Sequence, residues 1–185
     1  MKKIIIFLAL IITNFSFGQS NETKAEEYFN MGNEKAVNND HYGAISDLTK
    51  AIELDPNYLS SYYNRGLQKA ILEDYNGAIL DFTKVIGLDP NDRDSYFFRG
   101  ISKMNLEDYS GAISDYTKAI EIDPNLPNLY LERGNSKDEL DDFYGAISDY
   151  TKAIELDAND SSSYYNRGKA KGNLENYSGA ISDYT

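Results

Sequence analysis

A block of 34 residues recurs through this chain without insertion or deletion. The clearest copies begin at Gly43, Gly111 and Gly145 and read Gly-Ala-Ile-Ser-Asp, then Leu or Tyr, then Thr-Lys-Ala-Ile-Glu. A looser copy begins at Gly77 and an incomplete one at Gly179. A fixed period of this length is typical of a solenoid, in which each unit buries its apolar face against its neighbours. The functional question therefore moves to the exposed surface of the repeats.

Each repeat contains two helical patterns, named here helix A and helix B. In repeat two they cover about residues 60–72 and 75–88. The apolar residues of helix B in repeat one recur at the spacing of one helix face: Ala44, Ile45, Leu48, Ala51 and Ile52. The repeats span residues 25–58, 59–92, 93–126, 127–160 and, incompletely, 161–185.

Proline and glycine mark the ends and the packing of these helices. Helix B ends at an Asp-Pro-Asn turn beginning at Asp55, Asp89 or Asp123, because the residue before Pro disfavours the helical conformation. Asp157-Ala-Asn lacks the Pro and predicts a softer junction. A Gly in the middle of each helix A is expected to face an Ala of helix B and to let the helices approach closely.

Counted from the first residue of each repeat, the sequence has Tyr at position 4, Gly at 8, Ala at 20, an aromatic residue or Leu at 24, Ala at 27 and Pro at 32. This pattern resembles the tetratricopeptide repeat and covers about residues 25–185. Val85 and Ala158 depart from the pattern, and position 11, often Tyr in the family, is Lys in every copy. The resemblance implies an all-α fold, a right-handed α-solenoid of antiparallel helix pairs. Helices A would then line a concave groove.

Two charged positions recur with the repeat. Position 23 is Asp in every copy, and position 7 is Arg in every copy except the first, where it is Met31. Because repeat one alone has no preceding repeat, we expect each Arg to pair with the Asp of the repeat before it. Asp183 would then lack its Arg, and helix B of repeat five stops at Thr185. Both features predict that the sequence is part of a longer protein; the alternative is a short chain whose last turn frays.

The N-terminus has the layout of a secretory signal peptide. Two lysines precede the apolar run Ile4–Ile12, and small residues at Ser16 and Gly18 precede a cleavage site before Gln19. This predicts a signal peptide over residues 1–18, a short linker over 19–24 and no membrane insertion after cleavage. The alternative is an uncleaved anchor. The expected location is outside the cytoplasm of a bacterium: periplasmic, cell-surface or secreted.

Composition excludes several kinds of chemistry. The net charge of −12 disfavours nucleic acid and anionic membranes as partners. Cysteine is absent, and the single His41 stands where other repeats carry an aromatic residue at the start of helix B. Residues 138–142 are acidic but lack the ligand spacing of a calcium loop, so we interpret them as a solvated turn. The alternative is a patch that binds a cation or a basic partner. We expect no catalytic, cofactor-binding or metal-binding residues, and no enzyme activity.

The resemblance leaves the groove as the candidate site. It implies that positions 2, 5, 9, 12 and 13 face the groove, and position 5 is aromatic or Leu in every repeat. Such a stripe suits a peptide with apolar anchors, although position 5 is equally consistent with helix packing. The family's clamp for a C-terminal carboxylate is not matched, because position 5 is never basic. The groove candidates are Phe29, Asn33, Tyr63, Leu67, Phe97, Ile101, Met104, Leu131, Asn135 and Tyr165.

These features predict a non-catalytic protein–protein interaction scaffold that binds a polypeptide in the groove. An alternative is an accessory repeat domain of a longer enzyme or signalling protein truncated after Thr185, and a third is a structural spacer without a ligand.

Overall fold

The structure is a computed structural model that describes residues 21–185. The predicted signal peptide therefore lies outside the described residues. Residues 21–37 are helical (α1), including residues 21–24, which the sequence assigns to a linker. The following helices are α2 (His41–Leu54), α3 (Leu59–Ile71), α4 (Tyr75–Leu88), α5 (Arg93–Asn105), α6 (Tyr109–Ile122), α7 (Pro127–Asp138), α8 (Phe143–Leu156), α9 (Ser161–Asn173) and α10 (Tyr177–Tyr184).

Odd-numbered helices are the helices A of the repeats, and even-numbered helices are the helices B. No strand is found among residues 21–185, so the predicted all-α class is confirmed. The predicted helices of repeat two agree with α3 and α4 to within one residue at each end. No helix in this range is both long enough and apolar enough to cross a bilayer.

The chain divides into two compact units, each described by itself: unit 1 ends at Leu88, and unit 2 is Asp89–Thr185. In unit 1, α3 packs against both α2 and α4. In unit 2, each helix from α5 to α10 packs against the next, and α7 also contacts α5 and α9. Sequential packing across short turns gives the antiparallel pairs of an α-solenoid.

Side chains fix where the helices begin and end. An Asp or Asn caps helix B in each repeat, as Asp142 does by accepting a hydrogen bond from the backbone N–H of Gly145 at 3.0 Å. After helix B, Asp55 Oδ1 accepts from the N–H of Asn57 at 3.0 Å. Asp157 makes the same bond to Asn159 at 3.0 Å, so the expected softer junction is not visible in the geometry of the turn.

The core lies between helices A and B of each repeat. Ala44, Leu48, Ala51 and Ile52 on the predicted face of α2 are buried, while Ile45 is half-buried. The largest fully buried side chains occupy position 24, where burial contributes about 1.5–3 kcal/mol each: Phe82, Tyr116 and Tyr150.

The helix-A glycines make room for these rings rather than for Ala. A Cβ on Gly100 would lie 2.7 Å from the Tyr116 ring, and one on Gly134 would lie 2.7 Å from the Tyr150 ring. Close approach therefore explains the glycines, as expected, but the group they face is the side chain at position 24. In repeat one the Ala44 backbone carbonyl also comes close, 3.2 Å from a Cβ on Gly32.

The recurring charges form buried clusters in repeats two to five, which we call charge nodes. A charge node joins the Arg at position 7, the Lys at position 11 and the Asp at position 23 of one repeat. In unit 2, Arg133 Nη2 lies 2.7 Å from Asp149 Oδ1, and Lys137 Nζ lies 2.7 Å from Asp149 Oδ2. The charge nodes are Arg65/Lys69/Asp81, Arg99/Lys103/Asp115, Arg133/Lys137/Asp149 and Arg167/Lys171/Asp183.

The predicted pairing of each Arg with the preceding repeat is therefore wrong. Asp183, expected to lack an Arg, accepts from Arg167 at 2.6 Å and from Lys171 at 2.8 Å. Burial disfavours its charge, but these hydrogen bonds outweigh that effect and lower the pKa of Asp183. Three of these arginines contact the preceding repeat through a threonine instead, as Arg133 Nη1 does with Thr117 Oγ1 at 3.1 Å.

Repeat one replaces the missing Arg with lysine. Asp47 accepts from Lys35 at 2.5 Å and from Lys50 at 3.3 Å, and its side chain is 2% exposed. These lysines lower the pKa of Asp47 against the opposing effect of burial. In repeat one, where position 7 is Met31, two lysines therefore surround the carboxylate that an Arg and a Lys contact in the other repeats.

Candidate functional site

The ten groove candidates lie on helices A, where they form the helix-A surface of each unit. Nine are half-buried and Tyr165 is exposed, so none belongs to the fully buried core. Unit 1 contributes Phe29, Asn33, Tyr63 and Leu67, and unit 2 contributes Phe97, Ile101, Met104, Leu131, Asn135 and Tyr165.

Position 5 serves both packing and surface. The Tyr63 ring meets Phe82 of α4 edge-on at 5.9 Å, and the Tyr165 ring lies 5.8 Å from Tyr184 of α10. One side of each ring is thus held by helix B of the same repeat. The remaining area is open to solvent, and Tyr165 is 62% exposed.

In unit 2 the apolar part of this surface rests on Tyr116. The Phe97 ring lies 6.0 Å from the Tyr116 ring, and the Tyr116 hydroxyl points at Met104 Sδ at 3.8 Å. Ile101 is half-buried on the same helix. Leu131 packs against the buried cluster of Ala146, Tyr150 and Ala170. Phe97, Met104 and Leu131 are therefore apolar candidates that pack against buried residues of helices B.

The predicted asparagines join neighbouring helices A by amide hydrogen bonds. In unit 1, Asn33 Oδ1 accepts from Asn64 Nδ2 of α3 at 2.7 Å. In unit 2, Asn135 Oδ1 accepts from Asn166 Nδ2 of α9 at 2.9 Å and from the Tyr150 hydroxyl at 3.0 Å. Asn64 and Asn166 occupy position 6, which pattern analysis left out of the site.

Glu132, also at position 6, is the residue of greatest chemical interest that the sequence analysis missed. Asn135 Nδ2 donates to its Oε2 at 3.2 Å. Burial raises the pKa of the Glu132 carboxyl, and the bond from Asn135 opposes this only in part. The available signal was a single acid at a position that otherwise reads Asn30, Asn64, Phe98 and Asn166.

Glu132 lines an open groove of about 530 Å³ between α7 and α9. Leu131 and Tyr165 supply apolar walls, Asn135 and Asn166 supply amides, and the first turn of α9 adds Ser161 and Ser162. A cleft lined mostly by polar groups, with two apolar side chains beside them, suits recognition of a polar or charged side chain.

The acidic run at residues 138–142 is only partly the solvated turn that was expected. Asp138 ends α7 with a side chain 8% exposed, and its Oδ2 accepts from Lys169 Nζ of α9 at 2.8 Å. This hydrogen bond raises the pKa of Lys169. The exposed residues 139–142 do form the turn, with Asp141 at a φ of 58°.

His41 begins α2, as expected for a substitute of the aromatic residue there. Its Nδ1 lies 2.8 Å from Oε1 of Gln68 on α3, a polar contact that the sequence did not indicate. Among residues 21–185, no three His, Asp or Glu side chains are grouped so as to hold a metal ion.

Comparison with known proteins agrees with this helical architecture. A family model described as "Tetratricopeptide repeat" matches residues 25–58, 59–92 and 127–160, and one described as "TPR repeat" matches residues 102–137. No curated protein matches the sequence significantly.

Solved structures with the same fold share little sequence with this chain. A crystal structure of the MamA protein is 22% identical, with a TM-score of 0.85 over 87% of this chain and 88% of that one. MamA from Desulfovibrio magneticus RS-1 is 21% identical, with a TM-score of 0.84 over 87% and 91%. YrrB, a TPR protein with an unusual peptide-binding site, is 24% identical, with a TM-score of 0.78 over 89% and 85%.

The family models cover more than half of the sequence, and the helix pairs have the fold of these structures. This chain belongs to the tetratricopeptide repeat family.

Proposed function

We propose that this protein is a non-catalytic interaction scaffold that binds an extended polypeptide on its helix-A surface. The observation that carries the proposal is made at position 5: the rings of Tyr63, Phe97 and Tyr165 contact helix B of their own repeats yet remain partly open to solvent. A preorganised aromatic ring loses little conformational entropy when it buries its free face against a ligand. Peptide binding by YrrB, which has the same fold, supports this function by analogy.

The chemistry of the surface favours binding over catalysis. The groove between α7 and α9 is lined mostly by amides, hydroxyls and one carboxylate, with Leu131 and Tyr165 beside them. The single histidine of the chain lies in unit 1 and contacts Gln68. Peptide recognition needs apolar anchors and a few fixed hydrogen-bonding groups, and both are present on this surface.

The test compares two tyrosines of similar exposure. Tyr165 lies on the helix-A surface and is 62% exposed, whereas Tyr144 lies on α8 and is 77% exposed. We would measure binding of the purified protein to a positional-scanning library of acetylated, amidated nonapeptides. Tyr165→Ser should weaken binding about tenfold, as expected for loss of an aromatic anchor. Tyr144→Ser should leave it unchanged.

Circular dichroism would check that both variants keep their helicity. If no library peptide binds the unmodified protein, or if Tyr144→Ser weakens binding as much as Tyr165→Ser, the helix-A surface is not a peptide-binding site.

We also propose that the protein is exported from a bacterial cell and acts in the periplasm, at the cell surface or in the medium. The motivation is the basic, apolar and small-residue order of residues 1–18. Intact mass of the protein secreted from a bacterial host would test this: a chain beginning at Gln19 is expected, and a retained Met1 would contradict it.

A further inference from the structure

We propose that Glu132 and the groove around it hold a lysine or arginine side chain of the bound peptide. The inference rests on the proposed peptide binding and names a residue that the peptide must carry. It begins with a contrast between carboxylates. Asp149 in the same unit meets two cationic side chains. Among residues 21–185, the Glu132 carboxylate accepts a hydrogen bond only from the amide of Asn135, and no cationic side chain pairs with it. Its charge adds to the effect of burial in raising the pKa of the nearby Tyr116 and Tyr150 hydroxyls.

A half-buried carboxylate without a counter-ion is unfavourable for the free protein. Burial removes water from the Glu132 carboxylate, and a neutral amide donor returns only part of the lost stabilisation. A ligand cation would supply the missing charge, with a charge-assisted hydrogen bond stronger than a neutral one. The free protein therefore holds a site whose electrostatic balance a basic side chain would complete.

The amide beside Glu132 is held in one orientation. Asn135 Oδ1 accepts hydrogen bonds from the Tyr150 hydroxyl and from Asn166, so its Nδ2 is directed to Glu132 Oε2. The position of that carboxylate oxygen is thus fixed before any ligand arrives. Oε1 of Glu132 remains to accept from a ligand, which is the preorganisation that specific recognition requires.

The walls of the groove suit the aliphatic part of the same ligand side chain. Leu131 offers an apolar surface beside Glu132, and the Tyr165 ring stands 62% exposed on α9. Lysine and arginine can pack their methylene groups on such a surface while the charged end reaches a carboxylate. A cation near the face of a tyrosine ring gains further attraction.

The surrounding charge is consistent with a basic partner. Asp138, the other acid of α7 that faces α9, already pairs with Lys169 at 2.8 Å. Glu132 therefore keeps a local charge of its own, and the net charge of −12 adds a long-range attraction for basic peptides.

The experiment uses the same nonapeptide library. In each sub-library one position of the peptide is held at a single residue type, and sub-libraries with lysine or arginine there are compared with those that have neutral residues. The variants are Glu132→Gln, which keeps the shape and removes the charge, and Glu132→Asn, the change to the residue that repeats two and five carry there. Glu155→Gln on α8 is the control, because it removes the same charge from a side chain 60% exposed.

The unmodified protein and Glu155→Gln should prefer lysine or arginine at one position of the peptide. Both Glu132 variants should lose that preference, with binding of the selected basic peptide about tenfold weaker and binding of neutral peptides unchanged. Selection of peptides without a basic preference, or a preference that survives in both Glu132 variants, would overturn this inference and leave the proposed peptide binding intact. Absence of any bound peptide would overturn both.

Discussion

The charge nodes and the helix-A surface are built on the same helices but vary in opposite ways along the chain. Each of the four charge nodes places a buried Asp against an Arg and a Lys of its own repeat. On the helix-A surface the residue types differ between repeats. Position 6, for example, is Asn in repeats one, two and five, Phe in repeat three and Glu in repeat four. Uniform positions hold each helix pair in register, and variable positions give each repeat a different surface. Glu132, whose carboxylate pairs with no cation among residues 21–185, lies at one of the variable positions.

The largest effect is expected when a charge node loses its carboxylate. Asp149→Ala leaves Arg133 and Lys137, 17% and 21% exposed, without their counter-ion. Removing one partner of a buried ion pair typically costs about 3–5 kcal/mol, and the partial exposure of the cations favours the lower end. Urea unfolding followed by circular dichroism measures the loss.

Glu155→Ala is the control for that variant, because its carboxylate is 60% exposed and pairs only with Lys152. A change below about 1 kcal/mol is expected there. Equal losses in the two variants would mean that the charge node is no more than a surface ion pair.

A smaller effect is expected when a charge node is converted to the arrangement of repeat one. Arg133→Met introduces the residue found at Met31 and removes two hydrogen bonds to Asp149 and one to Thr117. Lys137 still pairs with the carboxylate at 2.7 Å, so the loss should be about 1.5–3 kcal/mol. The same unfolding experiment measures it.

A loss as large as that of Asp149→Ala would show that Lys137 cannot hold the carboxylate alone. That result would also leave the stability of repeat one, where lysines alone surround Asp47, without an explanation.

The fold was predictable because its information is local and repeated. The period sets the helix pairs, and the Asp-Pro-Asn turns mark their ends to within a residue or two. The partner of each Arg was not predictable in the same way. Arg65 is 16 residues from Asp81, its observed partner, and 18 residues from Asp47, the expected one. Both spacings join adjacent antiparallel helices. The Lys at position 11 of every repeat is the sequence feature that indicates a cluster of charges within the repeat.

The candidate site was predictable only in outline. The family pattern placed all ten residues on helices A, and the structure finds them half-buried or exposed there. Glu132 could not be ranked from the sequence, because an acid on a helix is usually solvated. Its importance depends on burial, on the orientation of Asn135 and on the lack of a neighbouring cation, all of which are tertiary properties.

The smallest expected effect is a gain in stability, whereas both charge-node variants should lose stability. Glu132→Gln should raise the free energy of unfolding at neutral pH by less than about 1 kcal/mol, because it removes a half-buried charge that lacks a cation. The folded state raises the pKa of this carboxyl, so ionised Glu132 destabilises the fold once the pH exceeds its unfolded value. The advantage of the glutamine should therefore shrink as the pH falls and Glu132 becomes neutral. Unfolding curves for both proteins at neutral and mildly acidic pH measure this difference. A loss of stability at neutral pH would mean that the ionised Glu132 stabilises the folded protein. It would then contradict the view that this carboxylate needs a cation from a ligand.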